Sequence, residues 1–274
     1  MTVTVDGAEL FCSVRGSGSA CLVLSIVGTR LYERQMPESL NRHLQLVFVD
    51  LRGCGQSTGD AADLTFARLA ADLEAIRVQL GVHRIAVIGH SILGVLAIEY
   101  ARRCSDTVSH AVAVGTPPRG DLTWLTAEAT AFFERDASAE RKKILRENVA
   151  RLPANPSFEQ IILAQTPTRF FDPHTDAAPL YEGAVMRPSL LARSSALTGS
   201  WDVRADAGDS TAPILLAHGR YDYTVPHVLW EGLTSTLPST TFHLFERSGH
   251  QPFYEEPERF VEVVTSWMRS TPRS

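Results

Sequence analysis

The stretch VIGHSILGVLAIEY (residues 87–100) places Ser91 between a run of strand-forming residues and a run with helical spacing. The residues before it are rich in valine and isoleucine, and the spacing from Ile92 to Arg103 predicts a helix. Ser91 therefore lies in a strand-to-helix turn. A serine in such a turn can cap the helix by accepting a backbone N–H, or its hydroxyl can act as a nucleophile. The rest of the chain decides between these two roles.

Short apolar runs alternate with helical patterns on both sides of this turn. Such runs, rich in Val, Leu and Ile, are typical of buried parallel strands. The predicted strands are ACLVLSIVG (20–28), LQLVFVD (44–50), RIAVIG (84–89), HAVAVG (110–115), APILLAHG (212–219) and TTFHLFE (240–246). The predicted helices are residues 31–43, 66–81, 92–103 and 257–269. The alternation is that of an α/β protein with a parallel sheet.

Two segments depart from this alternation. The N-terminal MTVTVDGAELFCSV predicts a hairpin that turns at Asp6-Gly7. Residues 117–208 begin at Pro117-Pro118 and contain several predicted helices but no strand repeat. We expect residues 1–116 and 209–274 to form the α/β core and residues 117–208 to form a helical cap. The aromatic residues of this insert should pack in its own core or line a pocket beneath it; they are Trp124, Phe132, Phe133, Phe158, Phe170, Phe171, Tyr181 and Trp201.

Composition excludes several functional classes. The 274-residue chain is 44% hydrophobic, enough for one large core, and carries a net charge of −5. Its densest basic patch, Arg141-Lys142-Lys143, reads as one exposed helix face, so we expect no nucleic-acid partner. The N-terminus has no signal-peptide pattern, which predicts a cytoplasmic protein without a membrane partner.

The cysteines and histidines indicate no metal site. Cys12, Cys21, Cys54 and Cys104 are scattered without C-x-x-C spacing, so we expect free thiols and neither a disulfide framework nor a zinc site. The nine histidines show no H-x-x-x-H or His-Cys spacing.

Two downstream fragments supply an acid and a base for Ser91. Asp222 lies in GRYDYTVP (219–226), just after one predicted strand, and His250 lies in SGHQPF (248–253), just after the next. The ends of parallel strands are where open α/β sheets gather their ligands. Taken singly, each residue would be an ordinary loop residue. In the order serine, acid, histidine, they match the chemistry that activates a serine.

At these positions the sequence resembles the α/β-hydrolase fold superfamily, nearest to its prolyl iminopeptidase-like and capped esterase branch, from about residue 8 to 269. The matching pieces are DLRGCGQS (50–57), GHSILG (89–94), GRYDYTVP (219–226) and SGHQPFYEEPERF (248–260). The resemblance implies a mostly parallel eight-stranded sheet flanked by helices, with an inserted helical cap. It also implies that Ser91, Asp222 and His250 form a catalytic triad and that Gly53 and Gly55 are structural.

Two positions depart from the family pattern. Leu93 stands where the family usually has a small residue, with the glycine deferred to Gly94, so Leu93 must find room against a neighbouring strand. Residues 25–28, Ser-Ile-Val-Gly, stand where the family has His-Gly-x. We expect Val27 and Ile92 to donate the two oxyanion-hole N–H groups, with a register open by one or two residues. Asp121 is an alternative acid, since some relatives take the acid from that position.

These residues predict a serine hydrolase that cleaves a small carboxylic ester, thioester or lactone through an acyl-enzyme intermediate, with no cofactor. Three alternatives stay open: a prolyl iminopeptidase-like aminopeptidase or amidase, a hydrolase of carbon–carbon bonds, and a non-catalytic relative that binds a small molecule. The aminopeptidase would need a cap carboxylate, for which the candidates are Glu128, Glu134, Glu147, Asp172, Asp176 and Glu182. The oligomeric state stays open.

Overall fold

The computed structural model describes residues 1–60, 64–184, 188–205, 212–237 and 239–271. Its eight strands form one sheet in the order β1-β2-β4-β3-β5-β6-β7-β8. The strands are β1 Thr2–Val5, β2 Ala8–Arg15, β3 Ser19–Ser25, β4 Leu44–Asp50, β5 Ile85–His90, β6 Val108–Val114, β7 Ile214–Gly219 and β8 Thr240–Phe245. Pairs β1/β2 and β2/β4 are antiparallel and all other neighbours are parallel. The predicted fold class is therefore confirmed.

The helices fill the intervals between the parallel strands and most of the segment between β6 and β7. They are α1 Thr29–Gln35, α2 Phe66–Gln79, α3 Ile92–Arg103, α4 Leu122–Asp136, α5 Ala139–Ala150, α6 Phe158–Ala164, α7 Thr166–Arg169, α8 Ala178–Tyr181, α9 Pro188–Thr198, α10 Pro252–Glu255 and α11 Pro257–Ser270. Helices α2 and α3 pack against each other. Within the described ranges, no helix is long and apolar enough to span a bilayer.

Two local predictions met different outcomes. The N-terminal hairpin is confirmed: Asp6 and Gly7 have φ values of 44° and 74°, as a type I′ turn requires. The single helix predicted for residues 31–43 is wrong. Helix α1 ends at Gln35, Met36 is extended, and a 3₁₀ turn follows at Glu38–Arg42. The cause is Pro37, because a residue that precedes proline is disfavoured in helical conformation.

The loop after β4 is built around a buried carboxylate and needs its glycine. Gly55 has a φ of 52°, and a Cβ there would lie 2.1 Å from Oδ2 of Asp50. That oxygen accepts the Gln56 N–H at 2.8 Å, and the Asp50 carbonyl accepts the Ser57 hydroxyl at 2.6 Å. The DLRGCGQS motif is therefore a structural turn, as the family resemblance implied.

The same loop is tied to helix α2 by a buried ion pair. Arg52 donates through Nε to Oδ2 of Asp72 at 2.9 Å and through Nη2 to Oδ1 at 2.5 Å. Both side chains are almost fully buried. This two-pronged geometry is the strongest form of the arginine–carboxylate contact.

The regular secondary structure of the insert between β6 and β7 is helical among its described residues. These residues contain α4–α9, and their only β contact is an isolated bridge between Arg119 and Asp202. The predicted end of the cap at residue 208 lies outside the described residues. Of the insert's aromatics, Phe132 and Phe133 pack with Tyr223 of the core loop, whereas Trp201 joins the main core.

The prediction that Arg141-Lys142-Lys143 forms one exposed face is wrong for Arg141. Its side chain is 6% exposed, and its guanidinium donates to the carbonyls of Pro167, Phe170 and Phe171. It also lies over the rings of two tyrosines of the loop after β7. A run of charged residues in the sequence does not reveal which of its side chains will be buried by another segment of the chain.

Candidate active site

Ser91 occupies the N-cap position of α3 but does not cap it. Its side chain accepts no hydrogen bond from the first turn, and its backbone has φ 58° and ψ −128°. A capping serine normally has extended backbone angles. A positive φ in a residue with a side chain is strained, and such strain persists where the surroundings impose it. The turn therefore presents the serine in a way that capping does not explain.

Close packing around the turn explains the two flanking glycines. A Cβ on Gly89 would lie 2.1 Å from the carbonyl oxygen of Leu93, and a Cβ on Gly94 would lie 1.8 Å from Oγ1 of Thr116. The sequence predicted that Leu93 must find room against a neighbouring strand. Instead, Gly94 meets the residues after β6, and Leu93 is buried at the wall of a cavity.

Asp222 and His250 are brought together by the loops after β7 and β8. His250 donates through Nδ1 to Oδ2 of Asp222 at 2.7 Å, and both side chains are buried. The other carboxylate oxygen of Asp222 accepts the N–H groups of Thr224 and Val225 at 2.9 and 2.8 Å. Because Nδ1 carries the proton, Nε2 of His250 is left as the acceptor. The carboxylate thus fixes both the tautomer and the orientation of the ring.

Burial sets the protonation of this pair. It raises the pKa of Asp222 to about 6, against the opposing effect of the two backbone hydrogen bonds. Burial also lowers the pKa of His250 well below its usual 6.5, and the charge of Arg169 lowers it further. At neutral pH the pair is therefore an ionised carboxylate beside a neutral imidazole, which is the form that can accept a proton.

His90, which precedes Ser91, supports His250 and was missed by sequence reasoning. Its Nε2 donates to the His250 carbonyl at 2.9 Å, so its Nδ1 accepts from the Tyr32 hydroxyl at 3.1 Å. Burial lowers the pKa of His90 well below 6.5. The GHS tripeptide shows that His90 is next to Ser91 in the sequence. It does not reveal the hydrogen-bond partners of His90, because they come from distant segments.

The insert also holds His250 in place. The His250 N–H donates to the Arg169 carbonyl at 2.6 Å. The Glu255 carboxylate accepts from the Phe171 N–H at 2.6 Å and from the Gly249 N–H at 2.7 Å, which ties the insert to the histidine loop. Burial raises the pKa of Glu255 to about 8. The YEEP sequence after the histidine gave no signal for this contact.

Ser91 and His250 line the same cavity of about 620 Å³, a volume in the usual range for small-molecule sites. Among the described residues, no hydrogen bond joins the side chains of Ser91 and His250. Such contacts are often long in unliganded enzymes and shorten when substrate binds. Much of the wall is apolar and comes from the insert.

The two predicted oxyanion donors also line this cavity. Ile92 is the first residue of α3, where the N–H has no partner inside the helix. The Val27 N–H donates to the Ser25 hydroxyl at 3.3 Å, so it would have to exchange this long contact for a substrate oxygen. The alternative acid, Asp121, caps α4 by accepting two of its backbone N–H groups. It is Asp222 that contacts His250.

Carboxylates are scarce in the cavity. Of the six candidate cap carboxylates, all within the described ranges, only Glu134 lines it; this side chain is 64% exposed and lies 3.6 Å from Lys142. Among the described residues, no group of three His, Cys, Asp or Glu side chains has the geometry to hold a metal ion. The four cysteines are free thiols.

Comparisons with known proteins agree with this architecture. The alpha/beta hydrolase fold family profile matches residues 22–257. The AB hydrolase superfamily protein YclE of Bacillus subtilis is 29% identical over 96% of each chain. The pimeloyl-[acyl-carrier protein] methyl ester esterase of Vibrio vulnificus is 28% identical over 85% of this chain and 88% of its own length. The solved structure of the proline iminopeptidase of Mycobacterium smegmatis, 21% identical, covers 99% of this chain and 98% of its own with a TM-score of 0.69. The chain therefore belongs to the α/β-hydrolase fold family and is an α/β-hydrolase enzyme.

Proposed function

We propose that the protein is a serine hydrolase that cleaves a small carboxylic ester, thioester or lactone through an acyl-enzyme intermediate. The observation that carries the proposal is the buried 2.7 Å hydrogen bond between His250 and Asp222, at the wall of a cavity that Ser91 also lines. Residues 117–208 act as the cap over that cavity. We further propose a cytoplasmic protein whose partner is its small-molecule substrate and which needs no cofactor.

In the first half-reaction, the Ser91 Oγ attacks the substrate carbonyl while its proton moves to Nε2 of His250. The resulting imidazolium is stabilised by the ionised Asp222. The carbonyl oxygen becomes an oxyanion, which accepts hydrogen bonds from the N–H groups of Val27 and Ile92. Collapse of this intermediate breaks the bond to the leaving alcohol or thiol, which takes the proton from His250.

In the second half-reaction, water replaces the leaving group. The water oxygen attacks the acyl carbon while His250 accepts a proton from the water. The second oxyanion occupies the same pair of N–H groups. When it collapses, Ser91 recovers its proton from His250 and the carboxylic acid is released.

The lining of the cavity supports an ester over an amine substrate. An aminopeptidase of this fold would need a cap carboxylate next to the substrate's free amine. Here the one candidate carboxylate at the cavity, Glu134, is mostly exposed and pairs with Lys142. An apolar acyl group instead matches the surface supplied by Leu125, Phe133 and Ile162. The esterase activity named for the Vibrio relative agrees with this choice.

A fluorophosphonate probe tests the proposal, because it reacts with serines that a histidine activates. The folded wild-type protein should be labelled on Ser91, as located by peptide mass spectrometry, and Ser91→Ala should remove the label. Ser235→Ala, at an exposed serine, is the matched control and should keep it. Absence of labelling in folded wild-type protein would favour a non-catalytic binding role. Turnover of short-chain p-nitrophenyl esters in preference to aminoacyl amides should follow.

A further inference from the structure

A cluster of polar side chains lines the cavity, and several of its hydrogen-bonding atoms have no partner among the described residues. This cluster consists of Arg169, Gln35, Tyr181 and Gln251, all of which line the cavity. Gln35 is 3% exposed and Gln251 is 1% exposed. This polar cluster contrasts with the apolar surface that the insert supplies elsewhere in the cavity, so the cluster needs a separate explanation.

Arg169 brings a positive charge to this cluster, and no carboxylate of the described residues forms an ion pair with it. None lies within ion-pair distance of its guanidinium, whose side-chain partners are Gln165 at 3.5 Å and Tyr181. Its buried Nε has no acceptor among the described residues. The Arg169 side chain is half-buried, so water offsets its charge only in part. The neighbouring Arg141 differs, because three carbonyls satisfy it.

The other groups of the cluster offer donors as well. The Tyr181 oxygen accepts one hydrogen bond from Nε2 of Gln251 and a second from Arg169. A tyrosine oxygen has two lone pairs. With both occupied, the Tyr181 O–H proton remains free to donate, and it meets no acceptor among the described residues. The amide of Gln35 is buried with neither its nitrogen nor its oxygen paired among the described residues, and the amide oxygen of Gln251 is unpaired as well.

We propose that this cluster binds a free carboxylate of the substrate, so that the ester cleaved at Ser91 carries a carboxylate at a distance from the reacting bond. A carboxylate supplies the counter-charge for Arg169, accepts from its unpaired Nε and accepts from the Tyr181 O–H. The proposal rests on the proposed hydrolase function and narrows it to esters such as monoesters of dicarboxylic acids.

The test compares monomethyl esters of dicarboxylic acids of four to seven carbons with methyl alkanoates of equal chain length. For at least one length, wild-type kcat/KM should be about 10- to 100-fold higher for the carboxylate ester, the range expected for a hydrogen bond to a charged group. Arg169→Met should reduce that ratio at least tenfold, and Arg169→Lys should restore part of it. Arg146→Met, at an exposed arginine of α5, should leave the ratio unchanged.

A ratio of one or less at every length in the wild type, or a ratio that survives Arg169→Met, would overturn the proposal. A binding measurement separates this failure from failure of the hydrolase function. Ser91→Ala should gain thermal stability with glutarate or adipate but not with the matching diamide, and Arg169→Met should abolish the gain. Such stabilisation in a protein that hydrolyses no ester would leave the carboxylate site standing and refute the hydrolase. Ester hydrolysis without stabilisation by glutarate or adipate would support the hydrolase function and refute the carboxylate site.

Discussion

The pair formed by His250 and Asp222 leaves no room for a side chain at Gly115, and a single methyl group tests how much its geometry matters. Gly115 follows β6 with a φ of 54°. A Cβ there would lie 2.9 Å from Nδ1 of His250 and 3.2 Å from Oδ2 of Asp222. We therefore expect Gly115→Ala to displace the His250 imidazole without removing any of the proposed catalytic groups.

The size of the effect follows from two separate costs. A residue with a side chain at positive φ loses about 1 kcal/mol of folding stability. To reach an ordinary contact near 3.4 Å, the imidazole must also move by about 0.5 Å. Since a 1 Å misplacement can cost about a hundredfold in rate, half of that should lower kcat/KM about tenfold.

Gly81→Ala is the matched control, because Gly81 has a φ of 68° and open space around its Cβ position. Both variants should lose about 1 kcal/mol in urea unfolding from the change in backbone conformation. Only Gly115→Ala should lose esterase activity in a p-nitrophenyl acetate assay. Equal activities in the two variants would refute the reasoning, because the clash with the base would then have no consequence.

Three further predictions concern groups that hold or tune the site. Asp72→Asn should lower the free energy of unfolding by about 3–5 kcal/mol in urea, because it leaves the Arg52 guanidinium buried without a counter-charge; a loss below about 1 kcal/mol would contradict this. Glu255→Gln should cost about 1–3 kcal/mol in urea unfolding at pH 9, where the carboxylate is ionised, because an amide has one acceptor oxygen for two backbone N–H groups; unchanged stability at that pH would show that the two hydrogen bonds to Glu255 do not stabilise the fold. The kcat/KM profile should fall on the acid side with a midpoint near pH 6 as the pair of His250 and Asp222 takes up a proton, because burial raises the pKa of Asp222 to about 6 and lowers that of His250; a midpoint above 7 would contradict it.

Local sequence patterns predicted the sheet and most of its strands because the signals are themselves local. The run LQLVFVD is a strand over the predicted residues 44–50, and the turn at Asp6-Gly7 has the backbone angles its residue types favour. The helix predicted for residues 31–43 failed at Pro37, where a breaker inside an otherwise helical pattern should have weighed more.

The site was predictable only where the chain order of the fold fixes it. Asp222 and His250 could be named because each follows its own strand, and their hydrogen bond agrees with that reasoning. The contacts of Arg141 and Glu255 could not be named, since both depend on how the insert folds back over the core. No pattern along the sequence records such long-range packing.

The central claim is that Ser91 and His250 act together on one substrate carbonyl group, and a crystal structure of the fluorophosphonate adduct tests it most directly. We expect phosphorus bonded to the Oγ of Ser91, with Nε2 of His250 within about 3.2 Å of an oxygen at the adduct. The phosphonyl oxygen should accept from the N–H groups of Val27 and Ile92. Phosphorus on another residue, or an imidazole turned away from the adduct, would contradict the account.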